Sequence, residues 1–446
     1  MKKRILAVLI ATALAVSVTG CAGNATSSSD STSASSVAES SDTSTQTSAD
    51  ASSEDESKDE SSQEESKDLE ANYTKYTLDG DLTQHMIDMS RLNEGNKVRL
   101  ANVIKKLKNG EEVTVGFIGG SITQGTSAGN DLCYAKLTAD WLQQTYSNAK
   151  INYVNAGIGA TGSYIGVHRV ENDLLSKKPD LVFVEFSVND TTENTERNKK
   201  SYDGLLRTIW KSSTNPAIIT IATTQEDGTS FQDQHAEIVK HYDLPMISYR
   251  NTILDTIKHG DIVWKDISDD NIHPNVPGHK IVSQLLQAYI SDVDNISGSE
   301  SDFTTPATDA PIENGSLIQP SSATDVTATG AFGNYEQQFG GFDGFWLFKG
   351  TSDADISATS LTFKVNAKSI GILYQKYTKA GCTADVYIDD ELVTTLNADF
   401  TGGWGNYVEC AELKNFDSAG EHTVKIVPKG LEGKASKFGV SALAIA

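Results

Sequence analysis

Between residues 113 and 290, short runs of β-branched and aliphatic residues alternate with longer stretches whose apolar positions recur every three or four residues. Val113–Gly119, Ile151–Ala156, Leu181–Ser187, Ala217–Thr223 and Pro245–Ser248 are apolar almost throughout, as strands buried on both faces are, and are predicted strands. Tyr134–Tyr146, Tyr164–Leu175, Lys200–Lys211 and Phe231–His241 carry the helical period, and a closing helix is predicted over His279–Ile290. Strands alternating with helices give a parallel sheet covered on both faces, an α/β unit assigned here to residues 73–296. Ligands of such sheets bind beyond the carboxyl ends of the strands, so the residues that follow each strand carry the search for chemistry.

After Ile296 the pattern changes. Ser297–Asp325 is poor in hydrophobics and holds Pro306, Pro311 and Pro320, which marks a linker over 297–325. From 326 to 446 the period is two: Ser360–Val365, Ile370–Tyr374, Ala384–Ile388, Tyr407–Leu413 and His422–Val427 are predicted strands. Asp389-Asp390 and Ala419-Gly420 are predicted turns. Short strands without a helical stretch predict a β-sandwich.

Composition changes the picture mainly at the N-terminus. The chain of 446 residues carries 60 acidic against 37 basic residues, a net charge of −23. Residues 22–70 hold 13 acidic residues, two lysines and 17 serines, and so contribute −11 of that charge. That stretch has no apolar periodicity and is predicted to be a disordered, self-repelling tether over 21–72. The acidity also excludes nucleic acid as a partner, since phosphate binding needs a basic face. Lys2, Lys3 and Arg4 precede an apolar run to Val18, too short to span a bilayer and ordered like a secretory signal over 1–20. Val18-Thr19-Gly20-Cys21 resembles a bacterial lipobox. It implies lipidation at Cys21 and an extracytoplasmic chain held at the cell membrane by two acyl chains.

Of the other cysteines, Cys133 stands alone in the α/β unit as a small buried hydrophobe, while Cys382 and Cys410 fall on separate strand candidates. An exported chain permits a Cys382–Cys410 disulfide.

Four segments at strand ends stand out. Gly119-Gly120-Ser121-Ile122-Thr123 can set a serine on a tight strand-to-helix turn with its hydroxyl exposed. Asn155-Ala156-Gly157-Ile158-Gly159 and Ser187-Val188-Asn189-Asp190 follow the next two strands. In Asp270-Asn271-Ile272-His273-Pro274-Asn275, an aspartate three residues before a histidine can reach back to the imidazole Nδ1–H and leave Nε2 as a free base.

Together these blocks, from about Val98 to Ile290, resemble the SGNH (GDSL-type) hydrolase family. The resemblance implies a flavodoxin-like parallel sheet flanked by helices and a serine esterase needing no cofactor and no metal. Ser121 matches the family's nucleophile, Gly157 its oxyanion-hole glycine, Asn189 its oxyanion-hole asparagine, and Asp270 and His273 its Asp-x-x-His pair. The implied oxyanion hole consists of the Ser121 and Gly157 amides and the Asn189 side chain. Asn275 and Gly278 also stand as that family has them. Gly120 replaces the aspartate common in the first block, and Ser187 the glycine of the third.

Other motifs fit less well. Gly157-Ile158-Gly159-Ala160-Thr161-Gly162 satisfies a dinucleotide-binding pattern, but one of its glycines already belongs to the four-block set. There is no phosphate-binding loop, Gly119–Thr123 is not G-x-S-x-G, and the eight histidines show no zinc spacing. His279 is expected to cap or pack.

Export, tethering and a downstream β domain favour short-chain acyl esters, acetyl above all, on polysaccharide. The β domain is similar to galactose-binding-like jelly rolls over Asp385–Glu391, Glu421–Val427 and Phe438–Ile445. Trp346, Trp404, Tyr335 and Tyr377 could stack on sugar rings or pack the core. The alternatives are a lipase or phospholipase, which would need an apolar acyl channel, and a non-catalytic carbohydrate-binding lipoprotein.

Overall fold

The computed structural model describes residues 73–191, 194–293, 296–351, 356–402 and 405–446, all within the unit spanning 58–446. Cys21 and Trp404 lie outside them.

The α/β part runs α1 (Gln84–Ser90), β1 (Arg91–Asn93), α2 (Val98–Lys108), β2 (Glu112–Gly119), α3 (Ser121–Gln124), α4 (Tyr134–Thr145), β3 (Lys150–Gly157), α5 (Ser163–Asp173), β4 (Leu181–Glu185), α6 (Thr195–Trp210), β5 (Ala217–Ala222), α7 (Gln232–His241), β6 (Met246–Ser248), α8 (Tyr249–Lys258), α9 (Trp264–Ile267) and α10 (Val276–Ser291). The sheet order is β1-β6-β5-β4-β2-β3. Five strands are parallel, and β1 closes the edge antiparallel to β6. The chain steps from β2 outward to β3 and then returns to place β4 on the other side of β2. The carboxyl end of β2 is therefore the topological switch point, where a crevice opens between diverging connections.

All five predicted strands are present, and the doubly wound α/β architecture is the one the pattern implies. Helices α1, α2 and α8 and strand β1 lie outside the predicted set. One face of the sheet packs under α2, α4 and α10, with Val115, Phe117, Phe183 and Ile219 among its buried residues. The other face is covered by α5, α6 and α7, with Val182, Val184, Tyr202 and Leu205.

Residues 297–325 do not behave as a free linker. Phe303, Ile312 and Leu317 are buried in the second cluster, and the Ile312 amide donates to the Lys200 carbonyl of α6 at 3.1 Å. The Arg207 guanidinium of α6 donates to the Phe303 carbonyl at 3.0 Å and pairs with Glu313 at 2.6 Å. Three hydrophobic anchors spaced among prolines suffice to hold an otherwise polar strap, and sequence hydropathy averaged over the segment hides them.

The C-terminal domain is antiparallel throughout: β7 (Ser316–Ile318), β8 (Val326–Thr329), β9 (Phe332–Phe339), β10 (Phe342–Gly350), β11 (Ser360–Lys376), β12 (Thr383–Ile388), β13 (Glu391–Asn397), β14 (Tyr407–Lys429) and β15 (Ser436–Ile445). The order is β13-β12-β14-β11-β15-β10-β9, with β7 on β15 and β8 on β11. Four of the predicted strands merge in pairs. β11 unites Ser360–Val365 with Ile370–Tyr374, and β14 unites Tyr407–Leu413 with His422–Val427. The turn expected at Ala419-Gly420 is instead part of an irregularity where the pairing jumps from Ala367 with Gly420 to Ser369 with Asn415. At that point β11 passes from pairing with β8 to pairing with β15, so the irregularity bends one ladder into a sandwich. Asp389 and Asp390 do turn, both at positive φ (51° and 66°).

The two domains share a core. Leu373, Val408, Ala442 and Ala444 of the sandwich are buried in the same cluster as Tyr164 and Ile165 of α5. The Cys382–Cys410 disulfide that export would permit is not formed; both are free thiols. Cys382 belongs to the sandwich core, whereas Cys410 packs against the shared cluster, so the two side chains serve different layers. Trp346 and Tyr377 are buried in the sandwich core, and Tyr335 stacks on Phe345 at 5.4 Å. These three rings are packing residues. No described helix is long and apolar enough to cross a membrane.

Candidate active site

Strand register brings the first three blocks level. Gly119 of β2 pairs with Gly157 of β3 on one side and with Glu185 of β4 on the other. The three connections that follow therefore leave the sheet at the same height, around the switch point. Buried Arg169 of α5 holds two of these strand ends, donating to the Gly119 carbonyl at 2.9 Å and to the Ala156 carbonyl at 2.6 Å. Sequence reading missed it. The signal was a charged residue four positions after Ile165 on a buried helix face.

Ser121 opens the one-turn helix α3, which Gly125 closes in the left-handed region at φ 100°. Gly120 precedes it because nothing larger fits. A Cβ there would stand 1.9 Å from Asn189 Oδ1, so the missing side chain lets the Asn189 carboxamide lie against the nucleophile turn.

The fourth block folds as expected. The loop is pinned by an isolated bridge between Ser268 and Pro274. Ser268 Oγ lies 2.8 Å from the Asp270 carbonyl and 2.6 Å from that of His273. Asp270 Oδ1 accepts the amides of Ile272 and His273, both at 2.7 Å, which leaves Oδ2 to meet His273 Nδ1 at 2.7 Å. His273 Nε2 is then 2.9 Å from Ser121 Oγ. Partial burial pushes the Asp270 carboxyl up, but the hydrogen bonds from the His273 amide, its imidazole and the Ile272 amide outweigh this and hold it below the ordinary value. The carboxylate thus stays charged at neutral pH. A carboxylate–imidazole–hydroxyl chain is the arrangement that makes a serine nucleophilic. Asn275 caps α10 by accepting the Gly278 amide at 3.2 Å. His279 is buried, and its Nδ1 accepts the Tyr134 amide at 3.1 Å, an N-terminal partner for α4.

Gly157 is placed differently from its expected role. Its amide donates to Asn155 Oδ1 at 2.9 Å and is engaged. A Cβ at Gly157 would stand 2.3 Å from the Gln124 nitrogen, so the glycine serves the close approach of β3 to α3. Along the same turn the Ile158 amide goes to the Gly119 carbonyl at 3.1 Å and the Gly159 amide to Gln124 Oε1 at 2.9 Å. Ala160 comes next, in the left-handed region at φ 57°. Its amide has no partner among the described residues, and it lines one small recess with Asn189. The turn wraps Ser121: a Cβ on Gly159 would lie 3.7 Å from Ser121 Cβ, and one on Gly120 would lie 3.2 Å from the Thr161 carbonyl. An alanine at positive φ leaves no mark in a sequence, which is why the glycines drew attention instead.

Beneath the site lies Glu185, fully buried. Its Oε1 accepts Thr223 Oγ1 at 2.7 Å and Ser187 Oγ at 3.1 Å, while Oε2 has no partner among the described residues. Burial pushes its pKa up to about 7 despite those bonds. Burial also lowers two histidines, His168 and His279, to about 4. The signs oppose one another. The unfolded chain binds protons at both histidines between pH 6.5 and 4 while the fold does not, so stability falls as pH drops through that window. Glu185 is protonated in the fold and not in the unfolded chain between about pH 4.5 and 7, so it adds stability as pH drops. Two terms outweigh one, and stability is expected to rise modestly from pH 4.5 to 6.5. In Glu185→Gln the opposing term is gone and the rise is steeper, as urea titrations at several pH values would show; an unchanged slope would contradict the assignment.

One further group, His85, Asp255 and His259, gathers possible ligand atoms within 4.8 Å. His85 Nε2 lies only 2.6 Å from Asp255 Oδ2. That is a hydrogen-bond distance, whereas two ligands of one tetrahedral ion stand about 3.3 Å apart. The group ties α1 to the end of α8, with Tyr73 stacked on His259 at 4.2 Å.

The family model of the GDSL-like lipase/acylhydrolases matches residues 117–281, a span that contains all four blocks. No protein of curated function matches the sequence. Among solved structures, a two-domain esterase active on acetylated mannans, co-crystallized with mannopentaose, is 31% identical with a TM-score of 0.73, over 80% of this chain and 97% of that one. A second structure of a two-domain esterase active on acetylated mannans gives 30% and 0.74 over the same shares. An acetylxylan esterase from Geobacillus stearothermophilus is 20% identical, with a TM-score of 0.35, over 42% of this chain and 97% of its own. The likeness to the two-domain esterase spans both domains, and with it the chain belongs to the GDSL-like lipase/acylhydrolase family and is a carboxylic ester hydrolase.

Proposed function

We propose that the protein removes short acyl groups, acetyl above all, from polysaccharide by acyl transfer through Ser121, at the cell surface. The observation that carries this reading is the unbroken chain Asp270–His273–Ser121, with bonds of 2.7 and 2.9 Å, at the switch point of the sheet.

Ser121 Oγ attacks the ester carbonyl as His273 Nε2 takes its proton, and Asp270 holds the imidazole in the tautomer that can accept it. His273 returns the proton to the leaving alcohol, and water then repeats the sequence on the acyl-enzyme to release the acid. The oxyanion is held by the Ser121 and Ala160 amides and the Asn189 carboxamide. Asn189→Ala is expected to lower kcat about 10²–10³-fold with little change in KM; a loss below threefold would remove Asn189 from this role.

The substrate class rests on the two-domain neighbour, which acts on acetylated mannans. In keeping with a two-domain site, the sandwich reaches the catalytic rim. Val408, Glu409 and Cys410 line the recess that holds Asn189 and Ala160, and Gly341 packs so tightly on Ile158 that a Cβ there would stand 2.5 Å away. Ser121-dependent acetate release from acetylated mannan, compared with acetylated xylan and peptidoglycan, tests this. A preference for long-chain p-nitrophenyl esters would favour the lipase reading instead.

Anchoring at Cys21 is proposed from the basic, apolar and lipobox sequence alone, and a carbohydrate-binding role for the sandwich from its likeness to galactose-binding-like domains. Wild-type chain should incorporate labelled fatty acid and Cys21→Ala should not, with specific activity intact in both; equal labelling of the two, or none in the wild type, would refute the anchor.

A further inference from the structure

Behind the candidate oxyanion donors lies a second carboxylate–imidazole pair that the reaction chemistry does not use. Asp190, the residue after Asn189, and His235 of α7 are both completely buried, with His235 Nε2 2.9 Å from Asp190 Oδ2. The two residues are 45 positions apart and join the β4 exit to a helix on the covered face of the sheet. His235 is held in turn by its ring neighbours, stacked on Tyr202 at 3.6 Å and meeting Phe231 edge-on at 5.2 Å.

The other carboxylate oxygen of Asp190 faces the turn that carries Ala160. Oδ1 accepts the Ser163 amide at 2.8 Å, at the first residue of α5, directly after the Gly157–Gly162 turn that carries Ala160. The same oxygen would lie 2.5 Å from a Cβ on Gly162. Its amide donates to the Phe186 carbonyl at 2.9 Å, and its own carbonyl accepts Asn198 Nδ2 at 2.9 Å. One buried carboxylate therefore clamps both connections that bear oxyanion donors. It holds the Asn189 loop through its own backbone and the Ala160 turn through Ser163.

A buried carboxylate is costly unless its oxygens are bonded, and here each has one strong donor. Its placement is more specific than stability alone requires, because the distance it sets is the distance between two donors that must converge on one oxygen. A misplacement of about 1 Å in such a site costs about 10²-fold in rate.

We propose that Asp190 and His235 form a positioning pair that sets the spacing of the Asn189 and Ala160 donors, with His235 orienting the Asp190 carboxylate from behind. This rests on the esterase reading of the site. The donors act on the oxyanion, which exists only in the transition state, so the pair controls kcat and leaves KM alone.

The test measures kcat and KM on p-nitrophenyl acetate for the full chain and for Asp190→Ala, Asp190→Asn, His235→Ala and His235→Gln, each also combined with Asn189→Ala. Urea midpoints are followed in parallel. Asp190→Ala is expected to lower kcat about 10²-fold at nearly constant KM. Asp190→Asn keeps an acceptor for Ser163, and His235→Gln keeps a donor for Asp190, so both should lie between the wild type and the alanine variants. In the Asn189→Ala background the further loss from Asp190→Ala should shrink to below about tenfold, because one of the two donors it positions is already gone. A full 10²-fold loss in both backgrounds, or a kcat that tracks the urea midpoint across all the variants, would overturn the pair's role and leave the esterase reading intact. Should Asp190→Ala fail to fold, His235→Ala against His235→Gln decides, since equal kcat values in those two would overturn it as well. Turnover by the wild type that survives Ser121→Ala would instead overturn the esterase reading, and the pair with it.

Discussion

Ser121→Ala is expected to lower kcat on p-nitrophenyl acetate by about 10⁶-fold, the scale set by removal of a serine nucleophile in enzymes of this chemistry. The substitution deletes one oxygen and nothing else. Ser121 Oγ meets His273 Nε2, and no other hydrogen bond of that hydroxyl holds the fold among the described residues. The Cβ is retained beside Gly159, and α3 keeps its backbone bonds, from the Gln124 amide to the Gly120 carbonyl at 3.0 Å and from the Gly125 amide to that of Ser121 at 3.1 Å. Thermal stability should therefore be unchanged, and substrate binding should persist. Residual turnover should come from Asn189 and the turn amides alone, so its level measures what oxyanion stabilisation contributes without a nucleophile. Retention of more than a hundredth of the wild-type kcat would mean that the nucleophile lies elsewhere.

Asp270→Asn should cost about 10³–10⁴-fold in kcat. Asn can still accept the Ile272 and His273 amides through one oxygen, so the loop keeps its shape. The group facing His273 Nδ1 becomes a donor, however, and forces the imidazole toward the tautomer whose Nε2 carries a proton and cannot accept one from Ser121. A fully buried aspartate in this position is worth about 10⁴-fold. Asp270 has 46% of its side chain exposed, so water can partly compensate and the lower end of the range is included. Measured kcat within tenfold of wild type, with the loop intact by urea titration, would show that His273 is oriented by its backbone alone.

The strand-end blocks were legible because their chemistry is written in residue types: a serine after paired glycines, an asparagine after a buried strand, an aspartate three residues before a histidine. The parallel strands were legible for the same kind of reason, the inner ones being apolar on both faces, while the edge strand β3 keeps its apolar residues beside Asn152 and Asn155. What stayed hidden depends on backbone geometry or on distant partners. Ala160 stands out by its φ and by an amide without a partner among the described residues, neither of which depends on being alanine. Arg169 and the Asp190–His235 pair matter through contacts between elements that no local period connects. Gly157 received the oxyanion role from the family resemblance, but its amide is already taken by Asn155, two residues upstream. In the sandwich, the alternation marked strands well and junctions badly, because β11 and β14 run on as continuous strands through the irregularity where the period of two shifts.

The core shared between the sandwich and α5 bears on how such a gene could be cut or recombined. Leu373, Val408, Ala442 and Ala444 shield Tyr164 and Ile165, and burial of each larger apolar side chain is worth about 1.5–3 kcal/mol. A truncation ending after α10 would strip both the strap and this cover and leave an adhesive face beside the catalytic rim, where it would promote aggregation. The esterase unit is therefore not an interchangeable cassette. A fusion that grafts a different domain onto it has to bring a matching apolar footprint.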